Sequence, residues 1–104
     1  MAAQLNDPAV AAFVRAVNTG DRDAFFAVLT DDATMSDDGT DRDLTAWADK
    51  EIFSSDGRMD IDDASADGRA LTVTYTNATW GSMRTRWVFT VTNGRISRFE
   101  TGQA

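Results

Sequence analysis

One residue in this chain combines a reactive type with an inward-facing position. Asp37 follows Ala33 and Met35 at two-residue spacing, so on a strand the three share a face, with Thr34 and Ser36 on the other. A carboxylate facing an apolar interior holds its proton more readily than one in water, which suits it to general acid–base work. The competing reading makes Asp37 a turn carboxylate capping backbone amides ahead of Gly39. Other reactive residue types are missing, because the chain has no cysteine and no histidine. That removes thiol nucleophiles, disulfides, the usual base near neutral pH and the commonest transition-metal ligand. The stretch Asp37–Asp43 is dense in carboxylates but lacks the ordered spacing and bidentate Glu of a calcium loop. No metal and no cofactor is expected.

Periodicity supplies the elements that must position Asp37. Asp7-Pro8 starts a helix, and Val10, Phe13, Val14 and Val17 give it one apolar stripe before Gly20 stops it. Asp21 caps a second helix whose apolar face is Ala24, Phe25, Val28 and Leu29. A short strand, Ala33–Asp37, ends at the turn signal Asp38-Gly39. Asp43 caps a third helix carrying Leu44, Trp47 and Ala48, which stops at Ser54–Gly57.

The remainder alternates at period two. Met59 and Ile61 mark one strand; Leu71, Val73, Tyr75 and Asn77 mark the inner face of the next. Met83, Thr85, Trp87, Phe89 and Val91 mark the inner face of a third, and Asn93-Gly94 turns into a last strand, Arg95–Thr101. In that strand Ile96 and Phe99 have opposite parity, so either a bulge intervenes or both faces are covered. The order predicts an α+β fold, a curved antiparallel sheet wrapped by three N-terminal helices.

A single domain over residues 1–104 is the natural reading of this length. The net charge of −7 is uneven: residues 31–67 carry thirteen acidic side chains against three basic, whereas residues 68–104 carry one against five. An acidic total argues against nucleic acid or an anionic membrane as partner. No basic segment precedes an apolar run, and no apolar stretch approaches membrane-spanning length, so a soluble cytoplasmic protein is expected.

Three stretches resemble a known superfamily. They are Ala16-Val-Asn-Thr-Gly-Asp-Arg-Asp-Ala24, Leu29-Thr-Asp-Asp-Ala-Thr-Met-Ser-Asp-Asp38 and Asn93-Gly-Arg-Ile96. In that spacing the chain resembles the nuclear transport factor 2-like superfamily, in its SnoaL-like and ketosteroid-isomerase-like branches. The resemblance implies a cone whose wide end is a ligand pocket. Phe13, Val17, Met35, Trp47 and Phe53 would line it from the helix side, and Tyr75 and Trp87 from the sheet. Buried Trp and Tyr need partners for their polar tips, and aromatic-walled clefts are common ligand sites.

The same resemblance places Asp37 where the steroid isomerases keep their proton-shuttling base. Their oxyanion hole is not matched: the tyrosine position holds Phe13, and the acid's position falls at or near Trp87. The limonene-type epoxide hydrolases use an Asp–Arg–Asp set, for which Asp37 with Arg84 or Arg86 is the candidate. Tyr75 or Asn77 within reach of Asp37 would favour chemistry. The outer face, with Thr72, Thr74, Thr76, Arg84, Arg86, Val88 and Thr90, is flat and mixed, and the resemblance implies a homodimer through it. Three functions remain open. They are binding of a small hydrophobic or aromatic molecule, a cofactor-free isomerase, cyclase or hydrolase using Asp37, and a structural dimerisation domain without ligand.

Overall fold

Three aspartates begin the three helices. Asp7 accepts hydrogen bonds from the amides of Ala9 (2.9 Å) and Val10 (3.2 Å), Asp21 from Ala24 (3.0 Å) and Asp43 from Ala46 (3.3 Å). Each satisfies amides that a helix start leaves without a partner. Helix α1 is Pro8–Thr19, closed by Gly20 at φ 67°; α2 is Arg22–Ala27; α3 is Leu44–Ala48 and runs on as a π-helical turn, Asp49–Phe53. The structure, a computed structural model, describes residues 5–104, so the first four residues of the expected domain lie outside it.

The strands are β1 Leu29–Asp37, β2 Thr40–Arg42, β3 Arg58–Ala64, β4 Ala70–Asn77, β5 Gly81–Thr92 and β6 Arg95–Gln103. They form one six-stranded sheet in the order β2-β1-β6-β5-β4-β3. With helices packed on one face of it, the fold is α+β, as expected. The strand β2 was not expected from sequence, β1 begins at Leu29 rather than Ala33, and two further details differ. Val28 and Leu29 leave the second helix: Leu29 pairs with Ile96, and the Ile96 amide donates to the Val28 carbonyl at 2.8 Å, so pairing with β6 overrides helical periodicity. That same seam, β1 with β6, is parallel while the other pairings are antiparallel. It joins the first and last strands, between which no single turn sets direction.

The parity conflict in β6 is resolved by a bulge. Thr90 pairs with Arg98 and Val91 with Ile96, leaving Ser97 as the extra residue. Ile96 and Phe99 are thereby both fully buried. On β4 and β5, Leu71, Val73, Tyr75, Asn77, Thr85, Trp87 and Phe89 are buried, whereas Thr76, Arg84, Arg86, Val88 and Thr90 are exposed. The two faces therefore fall as the alternation predicts.

Phe13 is the hub of the core. Its ring centroid lies 4.9 Å from that of Phe25, 5.0 Å from Phe89, 5.1 Å from Phe99 and 5.9 Å from Trp87. Edge and tilted contacts of this kind add to simple burial. Phe89→Ala should lower unfolding stability by about 3–5 kcal/mol, as truncations of core Phe do. Thr74→Ala removes only a rim contact, its hydroxyl bond to Asp62 at 2.8 Å, and should cost far less. Urea denaturation of both variants checks this, and reversed costs would mean the faces of β4 and β5 are misassigned.

Candidate functional site

The helices cover only part of the sheet's inner face, and beyond Trp87 a cavity of about 590 Å³ opens. Its floor and sheet wall are Tyr75, Asn77, Met83, Thr85 and Trp87, and its helix wall is Ala46, Trp47, Lys50 and Glu51. Asp37 and Asp38 border it from the β1–β2 hairpin, Thr101, Gly102 and Gln103 from the end of β6, and Trp80 from the β4–β5 turn.

Asp37 ends β1 opposite Thr40 and Thr101, just before a tight hairpin in which Asp38 (φ 49°) and Gly39 (φ 82°) both have positive φ. The hairpin is latched to β6: Asp38 donates its amide to the Thr101 carbonyl at 2.9 Å and accepts the Gln103 amide at 3.0 Å. A Cβ on Gly102 would sit 2.7 Å from Asp38 Oδ1, so a side chain there would displace that carboxylate from its bond to Gln103. Asp38, then, carries the turn-capping role weighed for Asp37. Asp37 itself is half-buried and accepts the Trp47 indole N–H through Oδ2 at 3.0 Å; Oδ1 has no protein partner among the described residues. Tyr75 and Asn77, anticipated as its partners, point elsewhere.

They converge on a backbone carbonyl. Ser54 donates its amide to Asp49 (2.8 Å) and Gly57 to Ile52 (2.7 Å), the wide spacing of a π-turn. The Glu51 carbonyl inside that turn accepts the Tyr75 hydroxyl at 2.6 Å and the Asn77 side-chain amide at 3.0 Å. Asn77 also accepts the Trp80 amide at 2.8 Å, and the Trp80 indole N–H donates to Glu51 Oε2 at 3.0 Å. Gly57 is the close-approach residue here, since a Cβ would run into the Tyr75 hydroxyl and lie 3.0 Å from the Ile52 Cα. Trp87 donates its indole N–H to Thr85 Oγ1 at 2.9 Å, and Thr85 passes its own proton to the Val73 carbonyl at 3.0 Å.

Of the residues read from sequence as pocket-lining, Asp37, Trp47, Tyr75 and Trp87 border the cavity. Phe13, Val17 and Met35 are fully buried in the core, and Phe53 packs on Phe25 at 5.3 Å; none of these four is on the wall. Arg84 and Arg86 lie on the exposed outer face, so the Asp37–arginine pair considered for hydrolysis does not assemble. The carboxylates of Asp37–Asp43 have separate tasks rather than a shared ion: Asp41 pairs with Arg98 at 2.8 Å and Asp43 caps α3. Among the described residues no group of three or more carboxylates converges to hold a metal. Glu51 and Trp80 were not read from sequence as lining the cavity, and Asn77 and Met83 were placed on the inner face without being assigned to its wall. The Trp80 and Glu51 partnership has no local signal.

Residues 10–99 match the family model of the SnoaL-like domain. The chain belongs to the SnoaL-like family, within the nuclear transport factor 2-like superfamily. Among curated proteins, none matches it. Solved structures share the SnoaL-like fold at low identity. A candidate polyketide cyclase from Sinorhizobium meliloti is 20% identical at TM-score 0.73, over 89% of this chain and 92% of that one. An LEH-like epoxide hydrolase from Mycobacterium tuberculosis is 24% identical at TM-score 0.69, over 92% and 80%. A candidate ketosteroid isomerase from Kribbella flavida is 15% identical at TM-score 0.73, over 94% and 76%. At these identities the likeness is one of fold.

Burial, followed by the nearby Glu51 charge, pushes the Tyr75 phenol well above its ordinary value. Tyr75 is the single tyrosine of the chain, so absorbance titration reads it alone. The folded protein should show no phenolate through the usual range near pH 10. Because the folded pKa is the higher one, this group's contribution to stability is complete below about pH 10 and is lost as pH rises above it. A phenolate signal appearing near pH 10 in protein still folded by circular dichroism would contradict the Tyr75–Glu51 contact.

Proposed function

We propose that this SnoaL-like domain binds a small hydrophobic or aromatic molecule in the cavity between α3 and the inner face of β4 and β5. The observation carrying this reading is the cavity itself, about 590 Å³ with Trp47, Tyr75, Trp80 and Trp87 in its wall. Small-molecule sites usually have volumes of about 300–1,000 Å³, apolar walls and few polar groups. Ligand contact falls to Trp47, Tyr75, Trp87 and Asp37, while Phe13, Val17, Met35 and Phe53 support the wall from behind. A domain serving only as structure would gain by filling such a space.

Catalysis by Asp37 as acid or base is the second reading, favoured by its cavity-facing position and its unpaired Oδ1. Steroid isomerisation fits poorly, since an oxyanion needs free donors. Phe13 offers none, and the Trp87 indole N–H is engaged by Thr85. For assembly, the outer face around Thr74, Arg84 and Arg86 supports a homodimer by two-fold packing.

Native mass spectrometry of protein purified from its own host tests the main reading. A retained small molecule is expected, and Ala46→Trp, which adds an indole at the cavity wall, should displace it. Protein with no retained molecule, and no response of its tryptophan fluorescence to an aromatic compound library, would contradict ligand binding. Sedimentation at micromolar concentration should show twice the 11.3 kDa chain mass. A monomer persisting at high concentration would end the dimer proposal.

A further inference from the structure

The hydrogen-bonding inventory of the cavity is lopsided. Five of its donors are engaged by the protein: the Trp47 and Trp80 indoles by the Asp37 and Glu51 carboxylates, the Trp87 indole by Thr85, and Tyr75 and Asn77 by the Glu51 carbonyl. Its acceptors are not. Asp37 and Glu51 each use one carboxylate oxygen on an indole, and the other oxygen has no protein partner among the described residues. Thr101 and Gln103 also border the space, and their hydroxyl and amide accept as readily as they donate.

Charge follows the same direction. Asp37, Asp38, Asp43 and Glu51 border the cavity against Arg42 and Lys50. Both cations are exposed, so solvent and salt screen them more than they screen the half-buried Asp37 and Glu51. Around the two carboxylates stand aromatic faces: Trp87 has Trp47 at 6.2 Å and Tyr75 at 5.8 Å between ring centroids, with Trp80 at the rim. Ring faces attract organic cations, most strongly where water is excluded. A carboxylate ligand placed beside Asp37 or Glu51 would face like charge there, which disfavours it.

Resting on the ligand-binding reading above, the geometry points to a ligand class: a protonated amine on an aromatic or alicyclic body, its ammonium held by the free oxygen of Asp37 or of Glu51 against the aromatic wall. The body fills the space over Trp87 and Met83. The ammonium donates to a carboxylate oxygen that has no protein partner among the described residues, and each carboxylate keeps its indole partner.

Calorimetric titration with three probes sharing one ring system tests this: naphthylmethylammonium, naphthylmethanol and naphthoate. The ammonium should bind tightest, by about tenfold or more over naphthoate, since charge-assisted hydrogen bonds are roughly twice as strong as neutral ones. Asp37→Asn and Glu51→Gln keep an acceptor for Trp47 and Trp80, so both should melt as folded proteins, and at least one should erase most of the ammonium preference. Equal binding of the three probes, or tightest binding of naphthoate, overturns the amine class and leaves the cavity reading standing. A preference surviving in both variants places the ammonium elsewhere and overturns it too. Failure of all three at millimolar concentration overturns both readings.

Discussion

The open end of this fold hangs on one backbone carbonyl. A regular α-helix would return the Glu51 carbonyl to an amide four residues on. The π-turn instead pairs Asp49 with Ser54 and Ile52 with Gly57, and leaves the Glu51 oxygen to side chains of the sheet. Tyr75 and Asn77, two residues apart on the inner face of β4, fill both of its lone pairs. Those two bonds hold the helical wall at a fixed height above the sheet. Gly57 permits the approach, because any side chain there would occupy the place of the Tyr75 hydroxyl. The Glu51 side chain then reaches Trp80, so the same residue also fixes the rim.

Trp87 separates two regimes of one interior. On one side the rings of Phe13, Phe25, Phe89 and Phe99 fill the space between the helices and the sheet. On the other side the wall is equally aromatic, but α3 and the β1–β2 hairpin stand off, and the polar tips of the aromatics donate to Asp37, Glu51 and Thr85 instead of facing a ligand. This is why the site can be apolar in surface yet acidic in its remaining hydrogen-bonding capacity. The superfamily's fold leaves its chemistry to such local choices, and function here is argued from the wall and not from the fold.

Much of this was legible in the sequence because its signals were local. Asp7, Asp21 and Asp43 each sit beside the helix they cap, and alternation along β4 and β5 separated Trp87 and Phe89 from Arg86 and Val88. The opposite parity of Ile96 and Phe99 left either a bulge or two covered faces, and the structure shows the bulge at Ser97. What stayed hidden depends on distant pairings. Val28 and Leu29 continue a helical stripe until β6 recruits them, and the parallel seam joins the first and last strands. The π-turn has no residue signature, and nothing local to Trp80 in the β4–β5 turn marks its partner, Glu51, which comes from another element. Asp37 was found for its parity, but its indole partner was not.

A double-mutant cycle on Tyr75 and Asn77 tests the central constraint most directly. Tyr75→Phe or Asn77→Ala alone leaves the Glu51 carbonyl one protein partner; the first should cost about 0.5–1.5 kcal/mol for the lost bond, and the second more, because it also removes the acceptor of the Trp80 amide. Together they leave that carbonyl without either, so the double variant should lose clearly more than the sum of the singles, with a coupling energy of about 1 kcal/mol. Additive losses would contradict the account, because they would mean that the two bonds do not converge on one oxygen and that the wall is held by something else.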